Sequence, residues 1–238
     1  NTVADLWKAP KDCKAIGTST AGSSEAIMLG GLAMKKRWQD ARKAAGKDHY
    51  HLNIVFGSNA PVALEKFARY WDVEARLVPV NTSTNYVMNP HDAMQYIDED
   101  TIGASGPVMV IMGSTYTGHF ENVQLMSDLL DDLQNRIGLD VKIHVDGASG
   151  VFIAPFAYPN LKWAFDVSRV VSINTSGHKF GLVYAGVAQD VWGSRRTYRR
   201  CADDPNTYRL ASDPLDSGPL TYAGPFATAS RSCGGRLG

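Results

Sequence analysis

Apolar positions along the chain gather in short runs, of which Pro107 to Met112 is uninterrupted, and the stretches between them carry apolar residues at steps of three or four. The runs are Leu52 to Phe56, Glu74 to Val80, Pro107 to Met112, Val141 to Asp146 and Arg169 to Thr175, each of strand length. The longest stepped stretch places Ile27, Gly31, Met34, Trp38, Ala41 and Ala45 on one side, with Lys35, Lys36, Arg37 and Gln39 elsewhere on the wheel, and Gly46 as its stop. Further helices are predicted from Asn59, as cap with Pro61 in the first turn, through Trp71; from Asn89-Pro90 through Ile97; and from Asn122 to Ile137, ending at Gly138. Short apolar strands separated by helices need crossover connections. The fold class is therefore α/β, a mostly parallel sheet covered by helices on both faces. The pair Gly30-Gly31 inside the long helix costs about 1 kcal/mol per glycine against alanine, which predicts that another backbone packs closely there.

The pattern changes at Ala188. Residues 1–187 hold eleven Lys and six Arg, whereas 188–238 hold seven Arg and no Lys, with Ser, Gly, Pro, Thr and Asp prominent and no sustained period. The chain is accordingly divided into a domain over 1–187 and an atypical tail over 188–238, expected to be irregular and foreign to the fold. Charge changes the picture little: 24 basic residues balance 24 acidic ones, which gives no reason to expect nucleic acid or an acidic membrane as partner. No apolar run approaches the roughly 20 residues that span a bilayer. Cys13, Cys201 and Cys233 are odd in number and lack metal-ligand spacing, so free thiols in a reducing cytoplasm are expected.

Three stretches hold candidate chemistry, and each has two readings. Gly22-Ser23-Ser24 opens the long helix, either as a simple N-cap or as an anion cradle built from free N–H groups and two hydroxyls. No Gly-Lys-Ser/Thr follows, so it is not a P-loop. Asp146 ends a buried strand before Gly-Ala-Ser-Gly; it closes a turn, or it meets a cationic partner such as a protonated pyridine nitrogen. His144, two residues back, shares its face. Lys179, in Ser176-Gly-His-Lys-Phe-Gly after the last strand, is a surface lysine in a glycine-bounded turn, an anion anchor, or a Schiff-base amine. The order phosphate cradle, ring carboxylate, lysine on an alternating α/β chain points to pyridoxal phosphate.

With those stretches, the chain resembles a known family. Ile16-Gly-Thr-Ser-Thr-Ala-Gly-Ser-Ser-Glu-Ala-Ile-Met-Leu-Gly-Gly, Glu65-Lys-Phe-Ala-Arg-Tyr-Trp-Asp-Val-Glu, Gly113-Ser-Thr-Tyr-Thr-Gly, His144-Val-Asp-Gly-Ala-Ser-Gly and Ser176-Gly-His-Lys-Phe-Gly look like the glutamate decarboxylases among the group II pyridoxal-phosphate decarboxylases. The resemblance covers residues 1–187 and implies the large domain of a fold-type-I enzyme, incomplete at both ends. It implies that Ser23 and Ser24 bind the phosphate with Ser176 and His178, that Asp146 pairs with the pyridinium, and that Ala148 packs on the ring. Thr115 would lie by the ring hydroxyl or the substrate carboxylate, and Lys179 would form the Schiff base. The implied reaction is decarboxylation of L-glutamate to 4-aminobutanoate by a cytoplasmic homodimer or higher homo-oligomer; the alternatives are a related decarboxylase with another substrate, or a non-catalytic fragment. The chain departs from the family where Pro61 replaces a glutamine expected on the cofactor face, and after Gly186, where the usual continuation is absent.

Overall fold

The computed structural model describes residues 2–9, 16–101 and 107–192. In chain order the elements are α1 (Thr2–Leu6), β1 (Ile16–Thr20), α2 (Ser23–Ala44), β2 (Asn53–Gly57), α3 (Val62–Tyr70), β3 (Glu74–Val78), α4 (Pro90–Ala93), β4 (Pro107–Ile111), α5 (Val123–Ile137), β5 (Lys142–Asp146), α6 (Ala154–Ala157), β6 (Val170–Ser176) and β7 (Ala188–Trp192). Five strands form one sheet in the order β1-β7-β6-β5-β4, and β2 and β3 form a parallel pair of their own. Strands β4, β5 and β6 run parallel, while β7 is antiparallel to both β6 and β1.

The runs at β2, β4, β5 and β6 are buried on both faces, whereas β3 is largely exposed. Along β4, Val108 and Val110 face a core shared with Leu130 and Leu133 of α5, Ile143 and Ile173. Met109 between them faces the other core, with Ile54 and Phe56 of β2, Leu64 and Phe67 of α3, and Met34 and Trp38 of α2. The glycine pair marks a close approach, but of side chains and not of the backbone expected there: a Cβ on Gly31 would lie 2.4 Å from a ring carbon of Phe67. The partner is an aromatic ring, so α2 and α3 cross over that ring. Gly138 ends α5 with φ of 76°, its N–H donating to Gln134 O at 2.8 Å.

Two expectations are corrected here. Asn59 does not cap α3: Pro61 holds the N-cap position with extended backbone, and the Asn59 amide turns inward instead. The boundary at 187 falls just before a strand, for Ala188–Trp192 inserts between β1 and β6 as β7. Small and polar residues form β1 and β7, which is why the apolar pattern passes them over. The remainder of the tail, from 193, lies outside the described residues, as do Cys13, Cys201 and Cys233. No helix among the described residues is long and apolar enough to cross a membrane.

Candidate active site

The carboxyl ends of β4, β5 and β6 face the amino end of α2, and a cavity of about 290 Å³ lies among them. Ser23 and Ser24 reach it from α2, Pro61 and Val62 from the start of α3, Ile111 and Thr115 from the end of β4, Asp146 and Ala148 from the end of β5, and Lys179 from beyond β6. A larger cavity, of about 340 Å³, lies between the C-terminal ends of α2 and α5. Its charged groups already satisfy one another, Glu99 pairing with Arg42 and Lys47. The smaller cavity is the chemically open one.

The first turn of α2 is built to meet an anion. Gly22 holds the N-cap position, so no side chain caps the helix. Glu25 reaches back past the turn and accepts from Ala21 N–H at 2.6 Å, outside the helical N–H groups. Burial raises the Glu25 pKa, against the pull of that N–H. Ser23 is half-buried and Ser24 exposed, with both lining the cavity.

Asp146 is buried and held from behind. Its Oδ1 accepts from Asn174 Nδ2 at 3.0 Å and from Ala148 N–H at 3.1 Å. Asn174 Oδ1 lies 2.7 Å from His144 Nε2, and His144 Nδ1 lies 2.7 Å from Ser172 Oγ. An amide oxygen only accepts, so His144 carries its proton on Nε2 and takes the Ser172 hydroxyl on Nδ1. The ring is thereby neutral, in keeping with burial, which depresses its pKa despite the Asn174 contact. Every donor that meets Asp146 converges on Oδ1, and among the described residues none meets Oδ2. A buried carboxylate with one oxygen uncommitted, in the wall of a cavity, calls for a cation.

Lys179 departs from expectation in one respect. Strand β6 ends at Ser176, and Lys179 stands three residues on, exposed in the following turn. Its Nζ donates to Ser149 Oγ at 3.3 Å. Ser176 is buried with its hydroxyl unpartnered, and Ser114, between the cavity residues Gly113 and Thr115, is likewise buried with a free hydroxyl. His178 is exposed and lies outside the cavity lining. Two polar residues bearing on the cavity, Asn174 and Glu121, were missed. Asn174 had one signal, its place two residues before Ser176 on the same strand face. Glu121 had none, being an acid just ahead of a helix cap.

The donor set fits pyridoxal phosphate: an uncapped helix N-terminus with two hydroxyls for a phosphate, an uncommitted carboxylate for a ring nitrogen, unpartnered hydroxyls beside the cavity, and a primary amine at its rim. The chain belongs to the pyridoxal-dependent decarboxylase family, whose conserved-domain model it matches over residues 1–208. It is similar to glutamate decarboxylase of Saccharomyces cerevisiae, 49% identical over 202 residues, and to glutamate decarboxylase 3 of Arabidopsis thaliana, 51% identical over 197 residues. These matches cover 80% and 82% of this chain, and the chain spans 34% and 38% of the two relatives. Its structure resembles that of the Lactobacillus brevis glutamate decarboxylase with a TM-score of 0.78 and 42% identity, covering 83% of this chain and 44% of that one. The family match runs past residue 187, as β7 does.

Proposed function

We propose that the chain is the cofactor-holding part of a glutamate decarboxylase, which converts L-glutamate to 4-aminobutanoate and CO2. One observation carries the reading: Ser23, Ser24, Thr115, Asp146, Ala148 and Lys179 line a single cavity although they come from four separate segments. Similarity to glutamate decarboxylases at about half identity supports the choice of substrate.

When bound, pyridoxal phosphate supplies an aldehyde that condenses with amines and a ring that accepts the electron pair left by departing CO2. The chain's own residues do the rest. Ser23 and Ser24 hold the phosphate on the free N–H groups of α2, with the unpartnered Ser176 hydroxyl as a further donor. In this reading His178 assists at the phosphate only if its exposed ring turns inward. Asp146 would hold the ring-nitrogen proton through Oδ2, and the Asn174–His144–Ser172 chain keeps Oδ1 committed, leaving Oδ2 uncommitted. Ala148 and Pro61 offer apolar surface to the ring. Lys179 Nζ is the amine that would hold the group through its aldehyde and would carry a proton to or from the substrate. Thr115, exposed at the rim, meets the ring hydroxyl or the substrate carboxylate. The enzyme works as a homodimer or higher homo-oligomer in a reducing cytoplasm, a reading supported by the family resemblance and by the cysteine usage.

The test is to add pyridoxal phosphate to the folded chain and follow visible absorbance. A protein-bound band, lost in Lys179→Ala, is expected. Because Lys179 is exposed, that variant should keep its stability within about 0.5 kcal/mol. Folded protein without the band overturns cofactor binding. Labelled CO2 released from carboxyl-labelled L-glutamate, and not from aspartate or tryptophan, fixes the substrate.

A further inference from the structure

Glu121 stands between Phe120, which bridges to Met112, and the start of α5. It is buried, and donors from three segments meet its carboxylate. Met88 N–H donates to Oε1 at 3.0 Å, Asn59 Nδ2 donates to Oε1 at 3.1 Å, and Ile111 N–H donates to Oε2 at 2.8 Å. Its own N–H donates back to Ile111 O at 3.0 Å. Ile111 and Glu121 are thus clasped at both ends of one residue.

One of those partners lines the cavity, and another stands next to a segment that does. Ile111 lines it and is in register with Asp146 across the β4–β5 pair. Asn59 lies two residues before Pro61, which lines the opposite side. The side chain of Asn59 folds over the end of β2, so closely that a Cβ on Gly57 would lie 2.2 Å from its Oδ1. Strands β2 and β4 belong to different sheets and share no ladder. At the end where the cavity opens, Glu121 supplies the hydrogen bonds between the two sheets that a ladder would otherwise make.

We propose that Glu121 is a positioning residue: its carboxylate, acting only as an acceptor, ties the segment leading into α3 to the end of β4 and so fixes the spacing between the Pro61 wall and the Asp146 wall. The part of the proposal that concerns cofactor affinity rests on the reading of the cavity as a pyridoxal phosphate site. An acceptor is required because all three partners are N–H donors. An amide at this position turns an NH2 group against one of them, and a proton on the carboxyl does the same. Asn59, Met88 and Ile111 face Glu121 as neutral donors, and Asp146 is the charged group whose field reaches it. Burial first, then Asp146, push the Glu121 pKa up to about 7 against the three donors. A cation arriving at Asp146 relieves that field, so cofactor binding and loss of the Glu121 proton favour each other.

The test uses the full chain and Glu121→Gln, with Glu121→Asp as the variant that keeps an acceptor. Amide hydrogen exchange should speed up about tenfold at Ile111 and Met88 in E121Q, less in E121D. Pyridoxal phosphate affinity, followed by absorbance, should weaken about tenfold in the unaltered chain as pH falls through about 7, and should be weak and flat with pH in E121Q. Unchanged exchange at both amides overturns the proposal, as does an E121Q affinity with the unaltered chain's value and pH profile. If E121Q does not fold, the unaltered chain decides: protection at Ile111 and Met88 must drop as pH falls through about 7, and constant protection overturns the proposal. An unaltered chain that binds no pyridoxal phosphate overturns the proposed function, while the exchange data still judge Glu121.

Discussion

Replacing Asn174 with Asp keeps the shape of the side chain and reverses the meaning of its contact with Asp146. In the native protein Asn174 Nδ2 donates to Asp146 Oδ1 at 3.0 Å. In N174D an oxygen stands at that place. At an effective dielectric of about 20, two unit charges at that separation repel by about 6 kcal/mol. That raises the pair's hold on one proton by about 4 pKa units, partly offset by His144 Nε2–H, which lies 2.7 Å from the other oxygen of residue 174. One proton should then stay on the pair to about pH 8. The folded pKa is raised above the unfolded one, so the variant's stability is fully present at low pH and is lost as pH rises toward about 8. His144 is depressed by burial in the native protein and faces residue 174 directly, so a carboxylate there raises its pKa and reduces the stability it takes away as pH falls, which changes the gap at the acid end. The assay is urea unfolding of the variant and the unaltered chain between about pH 5 and about pH 8, with the stability gap expected to widen by up to about 1.4 kcal/mol per pH unit. Asn174→Ala is the control: it strands the buried Nε2–H of His144 at a cost of about 1–3 kcal/mol that does not vary with pH in this way. A gap for N174D as flat as that of the control refutes the relay, since it would mean that the two side chains do not face each other.

Two further perturbations test the frame that holds the site. Gly31→Ala gains about 1 kcal/mol of helix propensity but drives a Cβ to 2.4 Å from the buried Phe67 ring, so a net loss of about 2 kcal/mol in denaturant unfolding is expected; a net gain would place α2 and α3 further apart than described. Arg169 donates to Asp131, Asp140, Gln134 and the buried Val141 carbonyl, so Arg169→Ala should cost about 3 kcal/mol, with a loss under about 0.5 kcal/mol marking the network as dispensable.

Legibility in the sequence followed burial. The runs at β4, β5 and β6 announce themselves because helices cover both faces, and α2 and α5 because each has one apolar side ending at a glycine. Strands β1 and β7 have their apolar runs broken by Thr, Ser, Gln and Asp, and Asp190 is buried beside Gly30 of α2. A polar residue becomes buried only through a tertiary neighbour, and local pattern carries no trace of that neighbour. The same limit explains the site. Ser23, Ser24, Asp146 and Lys179 sit at element ends that pattern can locate, whereas Asn174 and Glu121 act through partners 28 and 62 residues away in sequence. Asn59 was misplaced as a cap because its chemistry suits both a helix start and a buried carboxylate.

Strand β7 has a consequence for how the protein comes into being. Ala188 is in register with Thr20 on one side and with Ser176 on the other. One late residue thus levels the strand that leads into Ser23 with the strand that leads into Lys179. As the chain leaves the ribosome, β1 emerges early and must wait for more than 160 residues before the strand that pairs with it appears. Until then the N-terminal strand has no place in the sheet and its unpaired edge is open to other chains. A nascent chain stalled before β7 would carry the lysine but hold no finished cradle, so the window for misassembly during synthesis closes only when Ala188 to Trp192 docks.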